Sequence, residues 1–199
     1  MALLRAIDED YSSEFTVKAA SCGAGPYDLR YFNTEVTRLT EYPMPVFLGY
    51  IANAYTTYDL YPNELTDLFN SQYASVIPGL YDGQHSSEQI NSQLTTSISG
   101  LFTAEYLSGA ETDQKYLGIR NALRDNSING WDCDVPLLLL HGTADTYVMP
   151  GISQSQYNIM IGSGTSPLTC FNVPLEGLDH SQASVPALFA GYEFFKTYR

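Results

Sequence analysis

Basic residues are scarce in this chain. Nine Lys and Arg stand against 22 Asp and Glu among 199 residues, a formal charge of −13. A surface of that sign repels phosphate backbones and anionic headgroups, so neither nucleic acid nor an anionic membrane surface is an expected partner. Charge of this kind speaks first to solubility. Cysteine is sparse as well: Cys22, Cys133 and Cys170 are an odd number with no CxxC pair, which argues against a zinc site and a disulfide framework. Each lies in or beside an apolar run and reads as a buried thiol, with one pairing among them left open. Nothing in the sequence calls for a metal or a cofactor. No apolar run approaches the ~20 residues that a helix needs to cross a bilayer. MALLRAIDEDY puts acids where the cleavage site of a signal peptide would follow its apolar core, so targeting leaves the compartment unknown.

What remains is an ordinary globular composition, 44% hydrophobic and long enough for one domain with a substantial core. Leu3, Leu4, Ile7 and Tyr11 are spaced for one buried stripe on a first helix, yet no Ser, Thr, Asp or Asn precedes it as a cap. FTVKAASCG at 15–23 is predicted as a buried strand that stops at the turn GAGPYDL, where Gly23 and Gly25 free the backbone and Pro26 blocks further pairing. Residues 43–130 read as short helices broken by Pro and Gly, with SSEQ at 86–89 in capping-box form and aromatics such as Phe47, Tyr50, Tyr55 and Tyr58 at helical spacing. A block of that length between two strands is an insertion rather than a linker. The four leucines of PLLLLHG at 136–142 suit a strand covered on both faces of a parallel sheet. A helix follows near 150–161, then a Gly/Ser loop at 162–166 and a strand, LTCFNV, at 168–173. A terminal helix places Val185, Leu188, Phe189, Tyr192 and Phe195 on one face, and Pro186 suggests that it starts nearby. The order is α, β, helical block, β, α, β, α.

Open α/β sheets hold their sites just beyond the C-terminal ends of the strands. Asp145 and His180 stand at such ends, 35 residues apart, after the HGTA turn and after Gly177-Leu178-Asp179. An aspartate there can accept a hydrogen bond from an imidazole and fix its tautomer. The other ring nitrogen can then take a proton from a nucleophile and return it to a leaving group. His141 reads instead as a packed residue at its strand end, too near Asp145 along the same turn for easy pairing. His85 reads as a solvated loop residue. Asp179 reads as exposed or as a helix cap, because side chains at i and i+1 diverge.

HGTADTYV at 141–148 and GLDH at 177–180 resemble the acid and histidine segments of the α/β-hydrolase fold. From FTVKAASCGAGPYDL onward the chain is similar to the secreted-lipase and esterase-like branch of that superfamily. The resemblance implies an α/β fold, the C-terminal part of a hydrolase parallel sheet, with core residues 1–42 and 131–199 and a helical cap at 43–130. By position it makes Asp145 the triad acid and His180 the triad base. It implies a serine hydrolase cleaving carboxylic esters, with a small-molecule ester or lipid-like substrate, in a secreted or periplasmic protein. A peptidase of the same fold and a noncatalytic binding protein are the alternatives.

The family pattern also requires a G-x-S-x-G elbow ahead of the acid and the histidine. No serine in the sequence has glycines two residues away on both sides, and Ser153 and Ser163 lie downstream of the acid. Cys22 falls on the strand after the nucleophile helix and is expected to be structural. The uncapped first helix and the missing elbow share one reading, in which MALLRAIDEDY is the tail of the helix that follows the elbow. The chain is then expected to be the C-terminal part of a longer hydrolase, inactive alone. Its strand at 15–23 would lack a neighbour and leave an edge open to self-association.

Overall fold

The computed structural model describes residues 1–198. The chain divides into two compact units, Met1–Phe32 together with the stretch from Ser127 onward, and Asn33–Asn126. In chain order the elements begin with α1 (Ala2–Asp10), β1 (Ala20–Gly23), α2 (Leu29–Val36), α3 (Pro45–Thr57), α4 (Leu65–Leu68), α5 (Ser71–Ala74) and α6 (Ile77–Leu80). They continue with α7 (Ser87–Gln93), α8 (Ile98–Leu101), α9 (Ala104–Gly109), a 3₁₀ turn (Gln114–Tyr116) and α10 (Leu117–Asp125). The chain closes with β2 (Leu137–Gly142), α11 (Gly151–Gly162), β3 (Cys170–Leu175) and α12 (His180–Lys196).

The first unit is built on a three-stranded parallel sheet in the order β1-β2-β3. All six residues of β2 are buried, as expected of a leucine run between two neighbouring strands and under helices. Its register sets Leu137 beside Ala20 and Cys170, and carries Gly142 to the level of Leu175. β1 is shorter than the predicted 15–23. The Ala20 amide donates to the Pro136 carbonyl just ahead of β2, so residues 15–19 have no ladder to join, and Phe15 is exposed. The strand is also half-buried rather than buried, because it has a neighbour on one side only. β3 begins at Cys170, two residues later than LTCFNV suggests, and runs through Pro174. An edge strand tolerates a proline there, since one side of its backbone needs no partner.

α12 departs most from its sequence pattern. It starts at His180 with Pro186 inside it, and the face expected to be buried is open: Val185, Leu188 and Phe189 are 72%, 76% and 65% exposed. Tyr192 and Phe195 are exposed too, whereas Ala183 and Gly191 are buried. The reason is close packing by small residues. Gly191 lies against Ser21, where a Cβ would collide with the serine side chain, and Ala187 lies against Gly23. The large apolar groups therefore stand away from the sheet. α1 likewise buries only Leu4 of its predicted stripe, with Leu3 and Tyr11 exposed. It has no side-chain cap, and is anchored by Trp131 Nε1, which donates to Asp8 Oδ2 at 2.8 Å.

The second unit consists of short helices, but the breaks do not follow Pro and Gly: Pro78 and Gly79 lie inside α6, Gly100 inside α8 and Gly118 inside α10, whereas the breaks at 69–70 and 102–103 hold neither residue. Val46, Leu80 and Ile90 pack together with Met44, Tyr81 and Leu94, and Phe69 stacks on Phe102 at 4.9 Å. The predicted capping box at Ser86 and Gln89 is formed, each side chain bonding the other's amide. Of the aromatics on and beside α3, Tyr55 is buried while Phe47, Tyr50 and Tyr58 are exposed. All three cysteines are free thiols; burial pushes Cys133 and Cys170 up to about 11, which leaves them little nucleophilic thiolate near neutral pH. Among the described residues no helix is long and apolar enough to cross a membrane.

Candidate active site

Two loops at the C-terminal end of the sheet are knit together by backbone. The Thr143 amide donates to the Leu175 carbonyl at 3.1 Å and the Ala144 amide to the Leu178 carbonyl at 3.0 Å. The Gly177 amide donates to Thr143 Oγ1 at 2.8 Å. Gly177 has φ +71°, a conformation that side chains rarely adopt. Gly142 is needed for space: a Cβ there would run into the Leu178 carbonyl oxygen, so only glycine lets the 177–180 loop lie across the end of β2. The two motifs quoted from the sequence, HG and GLDH, are thus two sides of one contact.

That contact brings Asp145 and His180 together. His180 Nδ1 lies 2.7 Å from Asp145 Oδ2. The carboxylate is fully buried, and its other oxygen, Oδ1, accepts from the amides of Tyr147 at 2.8 Å and Val148 at 3.0 Å. His180 is the first residue of α12. Asp179 caps that helix, Oδ1 accepting from the Gln182 amide at 2.8 Å and Gln182 Oε1 accepting from the Asp179 amide, so the capping role read for Asp179 holds. The imidazole is partly exposed, with the Tyr147 ring 5.2 Å from its centroid. Among the described residues His180 Nε2 has no hydrogen-bond partner.

His141 differs from its sequence reading. It is buried at the end of β2 as expected, but it does pair with Asp145, its Nε2 lying 3.1 Å from Oδ2 and 2.8 Å from the Val148 carbonyl. The tight turn after Gly142 folds Asp145 back over the strand end instead of carrying it away. Nδ1 of the same ring lies 2.6 Å from Ser153 Oγ on α11, a serine that sequence reasoning set aside as merely misplaced for a nucleophile. Its position on the buried face of α11, with Ile152, Gln156 and Met160, was the available signal. His85 is a partly exposed loop residue beside Asp82 in the second unit.

Burial by itself would raise the Asp145 carboxyl. Hydrogen bonds from His141, the Val148 amide, His180 and the Tyr147 amide outweigh it and hold the group down at about 2. Asp145 is therefore an anion at any ordinary pH, buried and fully solvated by the protein. A cavity of about 390 Å³ opens beside the pair, between the end of β1 and α12, lined by Gly23, Ala24, His141, His180, Ala187 and Leu188 among others. Ser21 and Ser184 also line it. Ser184 Oγ donates to the Ser181 carbonyl at 2.7 Å. Ser21 pairs in register with Leu138, four residues short of Gly142 at the end of β2. Neither serine is hydrogen-bonded to His180.

No family model and no curated protein matches the chain. Solved structures do. A protein of Legionella pneumophila subsp. pneumophila str. Philadelphia 1, provisionally described as a hydrolase, superposes with a TM-score of 0.85 at 23% identity, over 98% of this chain and 52% of its own. The rice cell wall degrading esterase LipA from Xanthomonas oryzae superposes with a TM-score of 0.79 at 19% identity, over 100% of this chain and 55% of its own. At such identities the likeness establishes the fold: the chain has an α/β-hydrolase-like fold, with a three-stranded parallel sheet and flanking helices. It spans about half the length of the solved structures it matches.

Proposed function

We propose that Asp145 and His180 are the acid and the base of a serine-hydrolase triad that cleaves carboxylic esters. The observation that carries this reading is the 2.7 Å approach of His180 Nδ1 to a buried carboxylate that is ionised near neutral pH, with Nε2 unpartnered among the described residues. Asp145 accepts from Nδ1–H and so keeps the lone pair on Nε2, the nitrogen that meets a nucleophile. Nε2 takes the hydroxyl proton as the serine oxygen bonds to the ester carbonyl carbon, and Asp145 stabilises the imidazolium without taking that proton. The proton then goes to the departing alcohol oxygen as the acyl–oxygen bond breaks. Water repeats the sequence to release the acid.

The serine comes, in this reading, from a strand–turn–helix segment outside these 199 residues that lies beside β1, the C-terminal part of the fold being what this chain supplies. Residues 1–42 and 131–199 then form the partial core. Residues 43–130 are its inserted cap, on which substrate choice rests. The half-length match to the solved structures and the edge position of β1 support this. A noncatalytic binding role is the second reading, favoured because among the described residues no hydroxyl or thiol is hydrogen-bonded to His180 Nε2.

The test is p-nitrophenyl butyrate hydrolysis by the 199-residue chain, with and without a serine-directed fluorophosphonate. Turnover at the level of buffer and no adduct by intact-mass spectrometry are expected. Robust turnover abolished by a stoichiometric adduct on a serine of this chain would overturn the external nucleophile.

A further inference from the structure

Asp145 Oδ2 serves two imidazoles, not one. His180 Nδ1 approaches it at 2.7 Å from the groove side, and His141 Nε2 at 3.1 Å from the end of β2. Behind His141 stands Ser153 Oγ, 2.6 Å from Nδ1. The four side chains form one continuous chain, Ser153–His141–Asp145–His180. All but His180 are buried, Ser153 at 1% exposure and His141 at 3%. The triad reading uses only the last two.

Hydrogen-bond arithmetic fixes the tautomer of the inner ring. His141 Nε2 faces two acceptors, a carboxylate oxygen and the Val148 carbonyl, and faces no donor. It must therefore carry a hydrogen, shared between them. Nδ1 faces the Ser153 hydroxyl, and Ser153 Oγ has no other hydrogen-bond partner among the described residues. The hydroxyl satisfies its own hydrogen only by donating it to Nδ1, which leaves Nδ1 as the acceptor and the ring as the Nε2–H imidazole.

We infer that His141, oriented by Ser153, is a positioning residue for the Asp145–His180 pair. It ties a carboxylate that otherwise hangs on loop amides to β2, the fully buried strand of the sheet. Oδ1 is held by the Tyr147 and Val148 amides, so with His141 on Oδ2 the carboxylate cannot rotate away from His180. His141 touches no reacting atom. It acts through Asp145, and Ser153 acts through it. The inference rests on the reading of Asp145 and His180 as acid and base. Its test needs no turnover, so a failure of that reading would appear in the ester assays and a failure of this one in the spectra.

The experiment is ¹⁵N and ¹H NMR of the imidazoles in the full 199-residue chain. Among the described residues the titratable groups that contact the His180 ring are Asp145 and Tyr147 from the 143–148 loop, and Asp179 of its own helix is turned to the Gln182 amide. In the unmodified chain His141 is expected as the Nε2–H tautomer; a hydrogen on Nδ1 would overturn the inference with no variant needed. In His141→Leu the hydrogen on His180 Nδ1 should exchange with solvent about tenfold faster, the factor that one hydrogen bond to a charged group is worth. The Asp145 carboxyl should move up from about 2 towards the ordinary carboxylate range. His141→Gln, whose amide can put an N–H near the position of Nε2, should recover most of both effects. Ser153→Ala should shift both in the direction of the leucine variant, by less. If the leucine variant leaves the His180 hydrogen and the Asp145 titration unchanged, or if glutamine behaves like leucine in a folded chain, His141 is a packing residue and the inference is wrong.

Discussion

Asp145 is the residue on which the site turns, and its charge is linked to folding. Its carboxyl titrates near 2 in the folded chain and near 4 when unfolded. A depressed folded value means that the stabilisation is fully present above the unfolded value and is lost as pH falls through the folded one. The shift corresponds to about 2 kcal/mol. Asp145→Asn should therefore lower the urea-unfolding free energy by about 2 kcal/mol near pH 7. The deficit should shrink between about pH 4 and pH 2, where the unfolded native sequence takes up its proton first. A deficit that is independent of pH over that range would contradict the hydrogen-bond origin assigned to the shift. At this scale the sequence was readable for the two outer residues, because HGTAD and GLDH each deliver one polar group at a strand end. It was not readable for His141. Nearness along one turn argued against easy pairing with Asp145, and the turn after Gly142 instead folds Asp145 back onto the ring.

At the scale of elements, the site is a junction of two loops that only a glycine permits. Gly142→Ala puts a methyl group into the Leu178 carbonyl and must push the 177–180 loop off β2. Overpacking of this kind costs about 1–3 kcal/mol, measurable by denaturant unfolding. The Nδ1 proton of His180 should broaden or vanish in the same variant, while β2, buried along its whole length, keeps its amide protection. An alanine variant with native stability and an intact Nδ1 signal would show that the loops are not held by that contact. β2 was fully legible, because four leucines bounded by Pro and Gly admit little else. β1 and α12 were misjudged for one shared reason. Periodicity reports which residues are apolar, not which are covered, and here small residues at the β1–α12 contact bury Gly191 and Ala183 while the large ones remain outside. Sequence alone cannot distinguish an apolar face that packs on its own sheet from one that awaits another element.

For the whole molecule, that uncovered face and the edge strand belong to the same argument. Val185, Leu188, Phe189, Tyr192 and Phe195 form an exposed apolar row on α12, and β1 ends the sheet. Exposed edges and apolar patches promote association. The chain alone should therefore show concentration-dependent association by light scattering, reduced in a Leu188→Lys, Phe189→Lys double variant. A clean monomer at high concentration would count against an available edge. The solved structures that share this fold are about twice as long, and the proposed nucleophile would lie on a segment outside these 199 residues. The order of elements was legible as α, β, helical block, β, α, β, α, except that α2 at Leu29–Val36, ahead of the block, was not foreseen. The partner of His180 Nε2 was not legible, since among the described residues none bonds that nitrogen. The most direct measurement is ester hydrolysis by a protein that joins this chain to the proposed nucleophile-bearing segment, compared with the same protein carrying Asp145→Ala or His180→Ala. Fluorophosphonate-sensitive turnover is expected in the joined protein, falling by several orders of magnitude in the His180→Ala and Asp145→Ala variants. Turnover unaffected by the loss of His180, or a joined protein that binds ester without cleaving it, would contradict the assignment of this pair as a catalytic acid and base.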